Sequence, residues 1–283
     1  MAIFTNQATL TYRGNVTNSN VVTGEIVETL SAAKTALVET YAADDTLTYI
    51  ISLVNAGNTA LTGITVTDDL GAYEFGTGQV VPLTYVEGSI RYYANGILQA
   101  TPTVTEQSPL TVTGLTVPAG GNGLLIYQAR VNQFAPLGEG ATIVNTATIS
   151  GCGLTPVEVT ETVTATEGSL LTISKSLTPT RLADNEELTY TFVIQNFGNA
   201  PVVATDDASV TDLFDPRLSD LTVTFNGETW TEGVEYNYDE TTGNFVTVPT
   251  QITVPAATFS QDPETGEWNV TPGVSVLTVR GTV

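Results

Sequence analysis

The chain of 283 residues has no histidine, a single cysteine and only two lysines. Each shortage removes a class of function. With no histidine and with Cys152 alone, neither a Cys/His zinc site nor a Ser/His or Cys/His nucleophilic group can be assembled. One cysteine also rules out an intrachain disulfide. Cys152, in a Gly-Cys-Gly stretch, is a small tolerated residue or a link between neighbouring molecules. No apolar run is long enough to span a membrane, and no stretch keeps a helical period. Basic residues number 8 against 30 acidic ones, a formal charge of −22, which argues against nucleic acid and anionic membrane surfaces as partners. The acidic pairs Asp44-Asp45, Asp68-Asp69 and Asp206-Asp207 belong to no spaced loop of oxygen ligands. A solvated surface is therefore a better reading of them than calcium, and no cofactor is expected.

What the chain does have is threonine and valine in abundance, β-branched residues that suit strands. Period-2 runs such as LTYIISLV and LTYTFVIQ are bounded by Asn-Gly, Gly-Asn and Pro signals. Asn95-Gly96 and Asn226-Gly227 read as hairpin turns, because both residue types tolerate the positive φ such turns require. The two halves align as an internal repeat. Lys34 falls on Lys175, Tyr49 on Tyr190, Asn55 on Asn196, Gly57 on Gly198 and Asn58 on Asn199. After a three-residue insertion Val66-Thr67-Asp68 falls on Val210-Thr211-Asp212, and the strand ending at Val131 falls on the one ending at Val283. The expected fold is all-β: two tandem Ig-like sandwiches, residues 30–151 and 171–283, with linkers at 13–29 and 152–170.

The first copy continues into a further strand, ATIVNTATIS, that the second copy lacks. Residues 1–12 align with it: Asn6 on Asn145, Ala8 on Ala147, Thr9 on Thr148 and Leu10 on Ile149. The chain thus reads as a circularly shifted pair, in which the second sandwich is completed by an N-terminal donor strand. An incomplete sandwich leaves a hydrophobic groove and unpaired backbone groups, and another copy carries the matching strand. Giver and receiver surfaces differ, so the contact is heterologous and builds filaments. The connector 12–29 can extend to about 60 Å, so closure onto the chain's own second domain is the competing outcome.

A lysine on the first strand, an acid on a middle strand and an asparagine on the last form a recognisable set: Lys34, Asp68 and Asn145. Their order and spacing resemble the isopeptide-forming domains of Gram-positive adhesins and pilins, in particular the collagen-adhesin type whose acid is an aspartate. The series Lys, TYxxxxxNxGN, VTD and NTATI is also similar to repeat domains of large bacterial surface proteins. The resemblance implies an autocatalytic Lys–Asn crosslink within the first domain, with Asp68 as the acid. In the second domain it implies an intermolecular bond from Lys175, with Asp212 as the acid, to Asn6 of the donated strand. Asp206 and Asp207 compete with Asp212 because of the insertion. The physical requirement is burial, which disfavours the charged forms of amine and carboxyl and holds the reacting groups together.

The function this implies is a structural subunit of an extracellular fibre, homopolymeric, non-enzymatic beyond one turnover per site, and carried on a cell or spore surface. Residues 1–12 lack the basic start and apolar centre of a secretion signal, so a mature form or another route to the surface is expected, and Met1 favours the second. The alternative is an adhesin whose loops hold a host ligand, with Trp230 and Trp268 as contact residues or as plain packing. An ordinary enzyme finds no support, since no pair of carboxylates is singled out.

Overall fold

The computed structural model describes residues 2–26, 29–183 and 185–283. Apart from one turn of 3-10 helix at Ala204–Asp206, every regular element among them is a β-strand. Alternation drives this: along Thr46–Asn55 the side chains of Leu47, Tyr49, Ile51 and Leu53 are buried while those between them lie nearer solvent. Two separate hydrophobic cores result, one for each repeat, and the chain is all-β as its sequence pattern requires.

In the first domain one sheet runs in the order Leu30–Ala36, Thr46–Asn55, Asn122–Val131, Arg91–Ala94, Ile97–Leu98. The facing sheet runs Thr103–Gln107, Leu110–Val117, Leu61–Asp68, Thr142–Ser150, Val157–Ala165, Thr40–Tyr41. The second domain repeats the first sheet strand for strand as Leu171–Thr178, Glu187–Asn196, Gly273–Thr282, Ser219–Phe225, Glu228–Trp230. Registers coincide too: Leu30 faces Asn55 and Lys34 faces Ile51, as Leu171 faces Asn196 and Lys175 faces Phe192. Asn95-Gly96 and Asn226-Gly227 form the equivalent two-residue turns, with φ of 48° and 78° and of 51° and 87°. The repeated asparagines are buried turn-holders: Asn55 Oδ1 accepts Gly57 N–H and Asn196 Oδ1 accepts Gly198 N–H, each at 2.9 Å.

The facing sheets differ. In the second domain this sheet holds, among the described residues, only Tyr236–Asp239, Asn244–Thr247 and Thr211–Leu213. It ends at Thr211–Leu213, the counterpart of Leu61–Asp68, and the edge that takes Thr142–Ser150 in the first domain is unpaired among the described residues.

Two segments read as linkers carry strands instead. Within 13–29, Asn15–Asn18 pairs with Thr9–Tyr12 and Val22–Ile26 with Ala2–Asn6, so the N-terminal region is a hairpin rather than a strand and a tether. Within 152–170, Val157–Ala165 pairs with Thr142–Ser150 and, in parallel, with Thr40–Tyr41. Short runs such as NVTN carry little alternation of their own; their partner strands, not their pattern, make them extended.

The domains stack end to end. Asn199 Nδ2 donates to the carbonyls of Leu137 and Thr166 at 3.0 and 3.1 Å. A hairpin found only in the second copy, Thr258–Gln261 with Trp268–Thr271, reaches back onto the first domain. There the Tyr73 hydroxyl accepts from Gln261 Nε2 at 2.8 Å and Trp268 Nε1 at 3.1 Å, and Trp268 N–H donates to the Gln133 carbonyl at 2.9 Å. Trp268 thus serves packing, as does Trp230, which stacks on Phe225 at 4.9 Å.

Candidate functional site

Lys34 projects inward from one sheet; Asp68 and Asn145 come from the facing one, on adjacent strands where Ala147 stands opposite Asp68. All three are buried, Asp68 and Asn145 completely. Lys34 Nζ donates to Asp68 Oδ2 at 2.7 Å, and the Tyr127 hydroxyl donates to the same oxygen at 2.6 Å. Asn145 Nδ2 in turn donates to the Tyr127 hydroxyl at 3.2 Å. The other Asp68 oxygen accepts Leu70 N–H at 3.0 Å. The structure therefore joins the lysine, acid and carboxamide in one chain through a tyrosine.

The surroundings are apolar and aromatic. Tyr49 stacks on Tyr127 with centroids 5.5 Å apart, and Lys34 Nζ sits 5.1 Å from the Tyr49 ring centre. Burial pushes the Lys34 amine below its ordinary range, opposed by the Asp68 charge and hydrogen bond. Burial likewise lifts the Tyr127 hydroxyl well above its ordinary range, helped by Asp68, so it stays a neutral donor. Neighbouring Asp69 is raised by burial, against the Thr146 and Gly71 N–H groups that hold it. Asn145 Oδ1 and the Tyr49 hydroxyl are buried with no hydrogen-bond partner, the kind of orphan that needs a reason. Tyr127 escapes a reading based on lysine, acid and amide, although its place opposite Tyr49 on an alternating strand puts it in the core.

The second domain holds half of this arrangement. Lys175 pairs with Asp212, with its ammonium 4.2 Å from the Tyr190 ring centre and 5.3 Å from that of Phe214. Asp206 instead caps Val203 N–H at 2.8 Å on the exposed 3-10 turn, and Asp207 is exposed beside it. The Lys175 side chain is 38% exposed, whereas that of Lys34 is 0% exposed. No carboxamide hydrogen-bonds Lys175 or Asp212 among the described residues, and Val279 stands where the first copy has Tyr127. Asn6 lies exposed in the N-terminal hairpin, opposite Val22. No group of three metal-ligating side chains occurs among the described residues.

No protein-family model and no curated protein matches the chain. Solved structures that align with the chain include the C-terminal domain of an antigen I/II-family protein of Streptococcus pyogenes, at 12% identity and a TM-score of 0.35, over 90% of this chain and 91% of that one. The pilus backbone of Streptococcus pneumoniae aligns at 12% identity and a TM-score of 0.33, over 86% of this chain and 55% of its own. The collagen adhesin of Staphylococcus aureus aligns at 13% identity and a TM-score of 0.31, over 56% of this chain and 55% of its own.

Proposed function

We propose that the chain is a structural subunit of an extracellular, pilus-like or spore-appendage-like fibre, joined head to tail by strand donation and locked by Lys–Asn amide bonds. The observation that carries this reading is the unfinished second sheet. Its edge at Thr211–Leu213 is open among the described residues where the first domain has Thr142–Ser150, and the N-terminal residues repeat that strand. Unpaired strand edges template pairing with another chain.

The chemistry follows from the first-domain cluster. Lys34 Nζ, as a free amine, attacks the Asn145 carboxamide carbon. Asp68, already bonded to Nζ, carries a proton from the attacking nitrogen to the departing one. The carbon–Nδ2 bond breaks, ammonia leaves, and a Lys34–Asn145 amide crosses from one sheet to the other. Confinement in a dry core supplies the effective concentration that amide exchange lacks in water. In the second domain Lys175 and Asp212 wait for Asn6 of a neighbour, and the more open lysine fits a site still to be covered.

Deleting residues 1–12 tests this. A fibre subunit loses polymerisation while its folded domains persist; filaments of unchanged length by electron microscopy would refute donation. A ligand-binding adhesin would show its activity with or without that segment.

A further inference from the structure

In the first domain the asparagine strand does not enter its sheet alone. Thr142–Ser150 turns and returns as Val157–Ala165, and the far end of the return arm pairs with Thr40–Tyr41. The N-terminal region repeats this unit. Its pairs Ile3↔Glu25, Phe4↔Gly24, Thr5↔Thr23 and Asn6↔Val22 become Thr142↔Thr164, Ile143↔Val163, Val144↔Thr162 and Asn145↔Glu161 when 139 is added to every number. Both turns hold an equivalent pair at positive φ, Arg13 and Gly14 at 49° and 83°, Cys152 and Gly153 at 52° and 68°, the second pair preceded by Gly151 at 115°. Nearer the tip the N-terminal register slips by one, to Thr9↔Asn18. Where Ile143 faces Val163, the copy has Phe4 facing Gly24, and a Cβ on Gly24 would fall 2.3 Å from the Phe4 ring. Large and small residues compensate across the two arms, so the arms fit each other as one piece.

Among the described residues of the second domain, the positions that both arms occupy in the first are unfilled. Besides the open edge at Thr211–Leu213, Arg181-Leu182, which align with Thr40–Tyr41, form no strand. Leu171, Ile173 and Leu177, at the inward positions of the lysine strand, are 41%, 55% and 42% exposed.

We propose that the element exchanged between copies is the whole hairpin 2–26, docked as a two-stranded unit, rather than strand 1–12 on a tether; this rests on the strand-donation reading above. The first-domain register places Ala8 opposite Asp212 and Thr9 opposite Thr211, brings Asn6 to Lys175, and runs Glu25-Ile26 parallel to Arg181-Leu182.

Whole-hairpin docking also decides the occupant. With the return arm seated, only residues 27–29 separate Ile26 from Leu30, a reach of about 14 Å. Leu30 lies beside Asn55, at the end of the first domain far from the Tyr41 and Thr166 end that abuts the second. Arg181-Leu182 lie at the far end of the second domain again, past Leu171–Thr178. Two strand lengths, of seven and eight residues, are on the order of 50 Å, so a chain cannot fill its own groove and the partner is a second copy.

Synthetic peptides 1–26 and 1–12, added to polymerising full-length protein, separate the possibilities. Peptide 1–26 is expected to halt growth and appear covalently attached by intact mass, at least tenfold more effectively than 1–12. Equal action of the two overturns the hairpin while leaving donation standing; so does a monomer closed on itself by a Lys175–Asn6 bond. In the full chain, Thr23→Pro, in the return arm, is expected to reduce polymerisation, and an unchanged rate would contradict the proposal. If the wild-type protein never polymerises, strand donation itself fails.

Discussion

A lysine without solvent contact is sustained at position 34 by Asp68, since an unpaired buried charge is expensive and a hydrogen-bonded pair offsets it. Asp68→Ala removes the partner and, in the proposed chemistry, the proton carrier. It should leave the first domain at its full encoded mass, whereas wild-type protein should lose about 17 Da for each amide formed. The same change should lower unfolding stability by about 3–5 kcal/mol in urea titration. Tyr127→Phe takes away the hydroxyl between acid and carboxamide. It should slow bond formation in a mass time course without abolishing it; an unchanged rate would remove Tyr127 from the chemistry. In Asn145→Ala, where Lys34 stays free, the lowered amine means that the unfolded chain binds more protons than the folded one below 10.5. Stability should therefore rise with pH through that alkaline window, and Lys34→Met should flatten the rise. Lys34, Asp68 and Asn145 could be named from the sequence because scarcity and repetition isolate them. Tyr127 could not, since among 11 tyrosines only the packing of one sheet on the other singles it out.

At the level of strands, alternation and the two Asn-Gly turns made the long inner strands legible, together with the pairing order they share. The return arms Val22–Ile26 and Val157–Ala165, of five and nine residues, were read as linkers, because their extended form is completed by a partner strand elsewhere in the chain. The hairpin Thr258–Gln261 with Trp268–Thr271 has a role that no local pattern reveals, since it depends on Tyr73 in the other domain. Tyr73→Phe would leave two donors without their acceptor. It should cost about 1–3 kcal/mol at the joint and broaden the interdomain distance distribution in small-angle scattering, while polymerisation continues.

At the scale of the molecule, the proposed assembly joins a hairpin at one end to a sheet edge unpaired among the described residues at the other, and such unlike surfaces propagate rather than close. Domain would follow domain through short joints, 27–29 between copies and 166–170 within one. The most direct measurement is a denaturing gel of boiled, assembled protein beside Lys175→Ala and Asn6→Ala variants. A ladder of multimers in the wild type that collapses to monomer in both variants is the predicted result; monomer in every lane would contradict the covalent fibre.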